Sequence, residues 1–524
     1  MSANGAASIA QNCASWISDW ATERPTALAW QDEHRRCDYA TAENRIQRLA
    51  SWLSDLEVGP GDRVALWLGN RGALIEALFA TARIGAIALP INARLTPAEV
   101  AYQLADAQPK VLLAERAWRE RRDATLALLG NAPPALIEVG VRELVPVARQ
   151  DPDPYEIGIE AYPASSAIHP VHPEDPMILM YTSGTTGQPK GALLPHRKTQ
   201  FNCLNAEVYF EIDSADRVLV VAPLFHSLGL QILALPALFK GAGLVLQEGF
   251  SASRVWQAIE SEAVTYYGGV PTMHQRMLDA LDRGDPVSTP PRSLRFAFTA
   301  GAAAPPEMIR SFLDRGLLLK QGYGQTETST LTCLDGELAA AKAGSVGRPV
   351  QHVRLRLIDP ATIDGAVHDW RDVPAGDVGE IVAKGPITML GYWQQPEATA
   401  ETLREGWLRT GDLATRDGDF DLKLVGRARE MYISGGENVY PAEIEAVLLS
   451  HPDIEEVAVV AIPDATWGEV GRAHIVLRDA KTMVPDDLLE WLSTRLARYK
   501  QPSQVVVETS LPRTASGKIQ KHRL

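Results

Sequence analysis

The stretch from Tyr181 to Ala192, Tyr-Thr-Ser-Gly-Thr-Thr-Gly-Gln-Pro-Lys-Gly-Ala, follows directly on the apolar run Met177 to Met180. It constrains the fold more than any other segment. Glycines at 184, 187 and 191 let a backbone take positive φ and approach a ligand without a Cβ, while Thr182, Ser183, Thr185 and Thr186 offer hydroxyl and amide donors. Lys190 adds a cation. A buried strand ending in a loop that grips phosphate is the reading that accounts for all of these residues. The spacing differs from the nucleoside-triphosphate loop G-x-x-x-x-G-K-[ST], because Gln188 and Pro189 separate Gly187 from Lys190.

At 524 residues the chain exceeds what one hydrophobic core organises, so two or more domains are expected. The formal net charge of −14 argues against general binding to nucleic acid or anionic membranes, so anionic ligands must be met by local cations. Cysteines 13, 37, 203 and 333 show no metal-ligand or disulfide spacing and read as free thiols in a reducing compartment. Neither terminus reads as a targeting signal, which makes the cytoplasm the expected location. Val218 to Phe239 carries no Asp, Glu, Lys or Arg, yet Pro223, His226, Gly229, Gln231 and Pro236 interrupt it. It reads as a buried strand, loop and helix rather than an integral membrane span.

Along the first 165 or so residues, β-rich runs such as Arg63 to Leu68 alternate with amphipathic stretches such as Ala73 to Ile84. The pattern recurs from 177 to about 335, with candidate strands at Arg217–Val221, Gly243–Gln247, Val264–Tyr267 and Leu294–Thr299. Two related α/β subdomains with largely parallel sheets follow. Beyond about 345 the period becomes two, around Val353, Leu355 and Leu357 and again around Phe420, Leu422 and Leu424, as in half-exposed antiparallel strands. After Gly426 comes a small α+β unit with strands at Glu456–Ile462 and Ala473–Leu477 and a helix on which Leu488, Leu492, Leu496 and Tyr499 share a face. The expected domains are residues 1–427 and 430–524.

Six blocks, in order, carry a resemblance: the loop above, Pro223 to His226, Tyr323 to Glu327, Leu408 to Asp412, Gly426 to Glu445, and Pro512 to Lys518. Together they resemble the adenylate-forming superfamily of acyl-CoA synthetases, aryl-CoA ligases, luciferases and nonribosomal adenylation domains, over nearly all of the chain. The resemblance implies an α/β fold: a large N-terminal domain of two α/β subdomains plus a distorted β-barrel, and a small mobile α+β C-terminal domain.

It also implies roles. Lys518 resembles the lysine that bridges carboxylate, α-phosphate and ribose, whereas Lys521 and Arg523 read as a solvated basic tail. Glu327, with Thr182, resembles the Mg2+ site. ATP and AMP would be held by Thr182 to Gly187 with Lys190, by Gly301, Ala302 and Ala303, by Gly322, Tyr323, Gly324, Gln325 and Thr326, and by Asp412 and Arg427. The family often has proline where Ala303 stands. Arg429 occupies the hinge, where the family commonly has Asp or Lys. Ser434, Gly435 and Gly436 resemble the face that lines the pantetheine tunnel of coenzyme A after the small domain swings.

For the acid, His226, Ser227, Gly229, Gly269, Ala300 and Gly301 resemble the acyl pocket, with Gly268, Val270 and Gly322 beside it. Small residues at 268, 269, 300 and 301 are expected to leave room for an apolar tail. No Asp stands at 226, where amino-acid-activating domains pair the substrate's ammonium. The implied activity is that of an AMP-forming acyl-CoA ligase using ATP, Mg2+ and coenzyme A on an apolar monocarboxylic acid, either an aryl (hydroxycinnamic) or a medium-chain fatty acid. An acyl-AMP ligase or adenylation enzyme serving a carrier protein, and a luciferase-like oxygenase, are the alternatives within the fold. A homodimer is compatible with this reading.

Overall fold

The structure is a computed structural model, and it describes residues 12–130, 132–140, 153–182, 189–301, 304–334, 338–339, 341–342, 344–434, 437–478, 484–493, 495–514 and 519–524. By its internal contacts the chain divides into two compact units. The first is Met1–Val353 with Lys384–Leu403, and the second is Arg354–Ala383 with Arg404–Leu524.

Two sheets build the first unit. In the seven-stranded one, Pro176–Thr182, Ile87–Pro90, Arg63–Trp67, Val111–Glu115 and Ala135–Val139 are neighbours and run parallel. Residues 64–67 and 111–115 are buried without a break, the pattern of strands covered on both faces. Pro176–Thr182 then pairs antiparallel with Lys190–Pro195, Thr182 facing Lys190. The glycine-rich segment therefore joins two antiparallel strands.

The nine-stranded sheet holds the candidate strands of the second subdomain, observed as Arg217–Val220, Gly243–Leu246, Tyr266–Gly269 and Phe296–Thr299. The subdomains are not sequential blocks, however. Leu28–Gln31, from the N-terminal region, pairs parallel with Gly243–Leu246 in this second sheet. Between 218 and 239 the chain forms the strand Arg217–Val220, the π-helix Leu228–Ala234 and the short α-helix Leu235–Phe239. Among the described residues, no helix is long and apolar enough to cross a membrane. All four cysteines are free and buried.

In the second unit, Arg354–Ile358, Gly379–Lys384, Trp407–Arg416 and Leu422–Arg427 lie in one sheet, with Ile358, Ile363, Trp370 and Val382 as its core. Phe420 does not belong to the expected alternation. Asp417 Oδ1 accepts from the amides of Asp419 and Asp421, which turns the chain, and Phe420 is left exposed at φ +68°.

The remaining α+β sheet comprises Tyr432–Ser434, Glu437–Val439, Ile454–Asp464, Gly468–Leu477 and Gln504–Glu508, packed with the helix Pro441–Leu449 around Tyr432, Ile444, Leu448, Val459 and Ile475. Leu488, Leu492 and Leu496 are buried as expected, but Tyr499 is 39% exposed. The helix spans Pro485–Ser493, and Ala497 at ψ 147° breaks the period before the 3-10 turn Arg498–Lys500.

Candidate active site

In the first unit, Tyr392 brings two candidate residues from distant segments, Glu327 and Lys190, to one side chain. Tyr392 donates its hydroxyl to Glu327 Oε1 (2.9 Å), and Lys190 Nζ lies 5.1 Å from the centre of the Tyr392 ring. Thr182 Oγ1 donates to Lys190 O at 3.3 Å across the hairpin. Glu327 is 9% exposed, and its second carboxylate oxygen has no protein partner among the described residues. A buried carboxylate with one oxygen unpaired among the described residues, bonded to the tyrosine that Lys190 also approaches, fits a hard cation shared with phosphate.

Glu327 is held by a tight turn. Gln325 N donates to Thr328 Oγ1 (3.0 Å), Thr328 N to Gln325 O (3.1 Å) and Met389 N to Glu327 O (2.8 Å). The strands Leu318–Gln325 and Ser329–Cys333 approach so closely that a Cβ on Gly324 would sit 1.7 Å from Ser329 O. Tyr323 is 8% exposed on the same strand, Gly322 precedes it, and Thr326 is half-buried at the turn.

Lys198 escaped the sequence reading. It is fully buried on the helix His196–Phe210, its Nζ donates to Ser329 Oγ, and it forms no ion pair among the described residues. Burial pulls its pKa down to about 7, against the charge of nearby Glu327. Its surroundings, Thr199, Asn202, Cys203 and Ala206, are buried too. That helical spacing of small and polar residues was the one available signal.

His226 is half-buried at the start of the π-helix, with its Nδ1 accepting from Leu228 N at 3.4 Å. Ser227 is 5% exposed and its Oγ has no partner among the described residues. Glycine is required at 229 for a different reason than pocket volume: a Cβ there would lie 2.3 Å from Pro223 O and 2.5 Å from Ala222 O. At Gly268 the expected open space is filled by Leu233, 2.9 Å from where a Cβ would be; a Cβ at Gly322 would meet Phe298 at 2.8 Å. Contacts are ordinary at Gly269 (Met273, 3.4 Å) and Gly301 (Val270, 3.5 Å). Gly301 has φ +86°, directly after the buried Ala300.

The second unit places Asp412 opposite Arg427 across an antiparallel pair, with Arg427 Nε 2.7 Å from Asp412 Oδ1. Arg429, on the 3-10 turn Ala428–Glu430, is half-buried, and burial together with Arg427 lowers its pKa. Ser434 is buried at the end of its strand, paired with Gly468. Lys521 is not a solvated tail residue: it bridges Glu430 (2.7 Å) and Glu445 (2.8 Å). Burial disfavours its charge, but the two carboxylates outweigh that and raise its pKa. Arg513 and Ile519 form an antiparallel bridge, and Arg513 pairs with Glu456 at 2.8 Å. Ser183, Gly184, Thr185, Thr186, Gly187, Ala302, Ala303, Gly435, Gly436 and Lys518 lie outside the described residues.

Residues 17–393 match the family model of AMP-binding enzymes, and residues 443–518 that of the AMP-binding enzyme C-terminal domain. The chain is 40% identical over 519 residues to the feruloyl-CoA synthase of Amycolatopsis sp., covering 98% of each. It is 38% identical over 508 residues to the indoleacetate–CoA ligase of Aromatoleum aromaticum, covering 97% of this chain and 96% of the relative. Its fold matches the o-succinylbenzoate CoA synthetase of Bacillus subtilis in complex with its acyl-adenylate intermediate at a TM-score of 0.85, with 29% identity and 97% of both chains covered. That synthetase has also been solved with ATP and a magnesium ion.

Proposed function

The chain belongs to the AMP-binding enzyme family as an ATP-dependent, AMP-forming acyl-CoA ligase, and from that premise we propose that its acid is an aryl monocarboxylate of the hydroxycinnamate type. The observation that carries the choice is near-full-length similarity to ligases named for feruloyl and indoleacetate substrates. The residues proposed for the acid agree with it, since segments 226–231 and 266–270 contain no charged side chain. Four buried free thiols suit a cytoplasmic enzyme.

The chemistry divides into two displacements. A carboxylate oxygen attacks the α-phosphorus of ATP and pyrophosphate leaves; the coenzyme A sulfur then attacks the acyl carbon and AMP leaves. Both early reactants are anionic, so the first step needs cations and oriented donors where charge develops. Glu327 and Thr182 are suited to hold Mg2+, which when bound neutralises phosphate charge. Lys190 and the hydroxyls of 182–187 would grip the phosphates, and Lys518 would meet the attacking carboxylate. Tyr323, with the backbone of 301–303, would flank adenine, while Asp412 would accept the ribose hydroxyls with Arg427 alongside. His226, Ser227 and Ala300 would line the acid. For the second displacement, a swing at Arg429 would present Ser434, Gly435 and Gly436 to pantetheine.

The test is acid-dependent AMP and thioester formation across cinnamic, benzoic, indolic, medium-chain fatty and dicarboxylic acids, with and without coenzyme A. Strongest thioester formation with an aryl acid is expected. A fatty acid outrunning every aryl acid would overturn the substrate class, and acyl-AMP persisting despite coenzyme A would overturn the acceptor.

A further inference from the structure

Lys518 is flanked in the chain by two short segments that pair with each other. Arg513 and Ile519 form an antiparallel bridge, and Gln520 N donates to Pro512 O at 2.8 Å. Each segment is fastened to the α+β unit by an ion pair. Ahead of Lys518, Arg513 reaches Glu456 near the start of the strand Ile454–Asp464, at 2.8 Å. Beyond it, Lys521 reaches two carboxylates: Glu445 on the helix Pro441–Leu449 and Glu430 at the end of the 3-10 turn Ala428–Glu430.

The second clamp is the firmer one. Glu445 Oε1 also accepts from Val459 N at 2.7 Å, so a helix and a strand hold that carboxylate in place for Lys521. The side chains of Lys521, Glu445 and Glu430 are 21%, 17% and 30% exposed, which sets the cluster apart from fully exposed pairs that contribute little. Glu430 adds a connection, because it follows directly on Arg429, the proposed hinge. One ammonium thus joins the turn at the hinge to the chain three residues past Lys518. Without it, two half-buried carboxylates would be left facing each other. Ser434, by contrast, is placed by its strand pairing with Gly468 and does not lean on this clamp.

We propose that Lys521 is a positioning residue for the adenylation step: its bridge to Glu430 and Glu445 ties the segment bearing Lys518 to the hinge turn, so that rotation at Arg429 delivers Lys518. The assignment rests on the roles given to Lys518 and Arg429 above. Lys521 meets no substrate in this role and acts through Lys518. Thioester formation, which uses the face at Ser434, is independent of the bridge.

The experiment measures the two half-reactions separately in the wild-type chain, Lys521→Met and Lys521→Arg. Pyrophosphate release is followed with the acid that gives the wild type its strongest thioester formation, and thioester formation with coenzyme A and the chemically prepared acyl-AMP of that acid. Lys521→Met should slow pyrophosphate release by about tenfold or more, the scale on which a misplaced catalytic group costs rate. Thioester formation should stay within about threefold of the wild type, and Lys521→Arg, which keeps the charge, should recover most of the loss. Equal loss in both half-reactions, or unchanged pyrophosphate release, overturns the proposal. A double-mutant cycle separates positioning from general structural damage: in a Lys518→Ala background Lys521→Met should cost less than about twofold more, and a full additional loss overturns the proposal. If Lys518→Ala itself spares pyrophosphate release, the reading of Lys518 falls and this proposal with it. Should Lys521→Met fail to fold, Glu430→Gln, which leaves the Lys521–Glu445 pair, must show the same selective loss; an absent or unselective loss overturns the proposal.

Discussion

His274 is wholly buried between a carbonyl and a phenol, its Nε2–H donating to Phe298 O (3.1 Å) and its Nδ1 accepting from Tyr267 OH (3.2 Å). Burial pushes its pKa down to about 4, against the pull of its backbone hydrogen bonds; His196 is lowered to about 4 as well, opposed by Asp175. The unfolded chain takes up these protons near pH 6.5, while the folded chain refuses them until about pH 4. Stability tied to both residues is therefore present above pH 6.5 and is lost as pH falls through that window. Urea midpoints measured between pH 7 and 4.5 should decline, and His274→Gln should make the decline shallower. An unaltered slope in that variant would rule His274 out as a source. Neither histidine's state was legible in the chain, because isolated histidines in mixed surroundings become neutral only when distant strands close over them.

At the level of elements, the hairpin Leu318–Gln325 with Ser329–Cys333 is the part of the candidate site whose motif and geometry agree most directly. Tyr323 to Glu327 was recognisable as a block, and the structure supplies the reason for its glycine: Ser329 O occupies the place of a Cβ at 324. Ser329 itself adopts φ +55°, a strained left-handed conformation for a residue with a side chain, at the position that Lys198 contacts. Gly324→Ala should destabilise the chain by about 2 kcal/mol or more. Gly418→Ala, where nothing among the described residues lies within 4 Å of a Cβ and φ is not left-handed, should lie within about 0.5 kcal/mol of the wild type. Chemical denaturation of both variants checks the contrast, and equal midpoints would show that the hairpin can relax.

At the scale of the molecule, the division by contacts and the division read from the chain differ. Sequence periodicity placed a boundary near 427–430, whereas contacts group Arg354–Ala383 and Arg404–Leu524 together. Yet the residues from Tyr432 to Leu496 form a hydrophobic cluster of their own, separate from the one around Trp370. We therefore expect residues 430–524, expressed alone, to unfold cooperatively in urea. A fragment that gains cooperativity only when 354–429 is included would assign that sheet to the C-terminal folding unit.

The chain by itself determined the α/β class, the buried parallel strands, the free thiols and the six blocks that mark an adenylate-forming enzyme, because each is written in contiguous residues whose periodicity or spacing is local. Only the tertiary structure decided that Leu28–Gln31 joins the second sheet, that Tyr392 reaches Glu327, that Lys521 is clamped by two carboxylates, and that Lys198 and Gln231 are buried. Those facts depend on which segments far apart in sequence are brought to one place, and on how much water is excluded when they meet. Neither is encoded in the spacing of any single stretch.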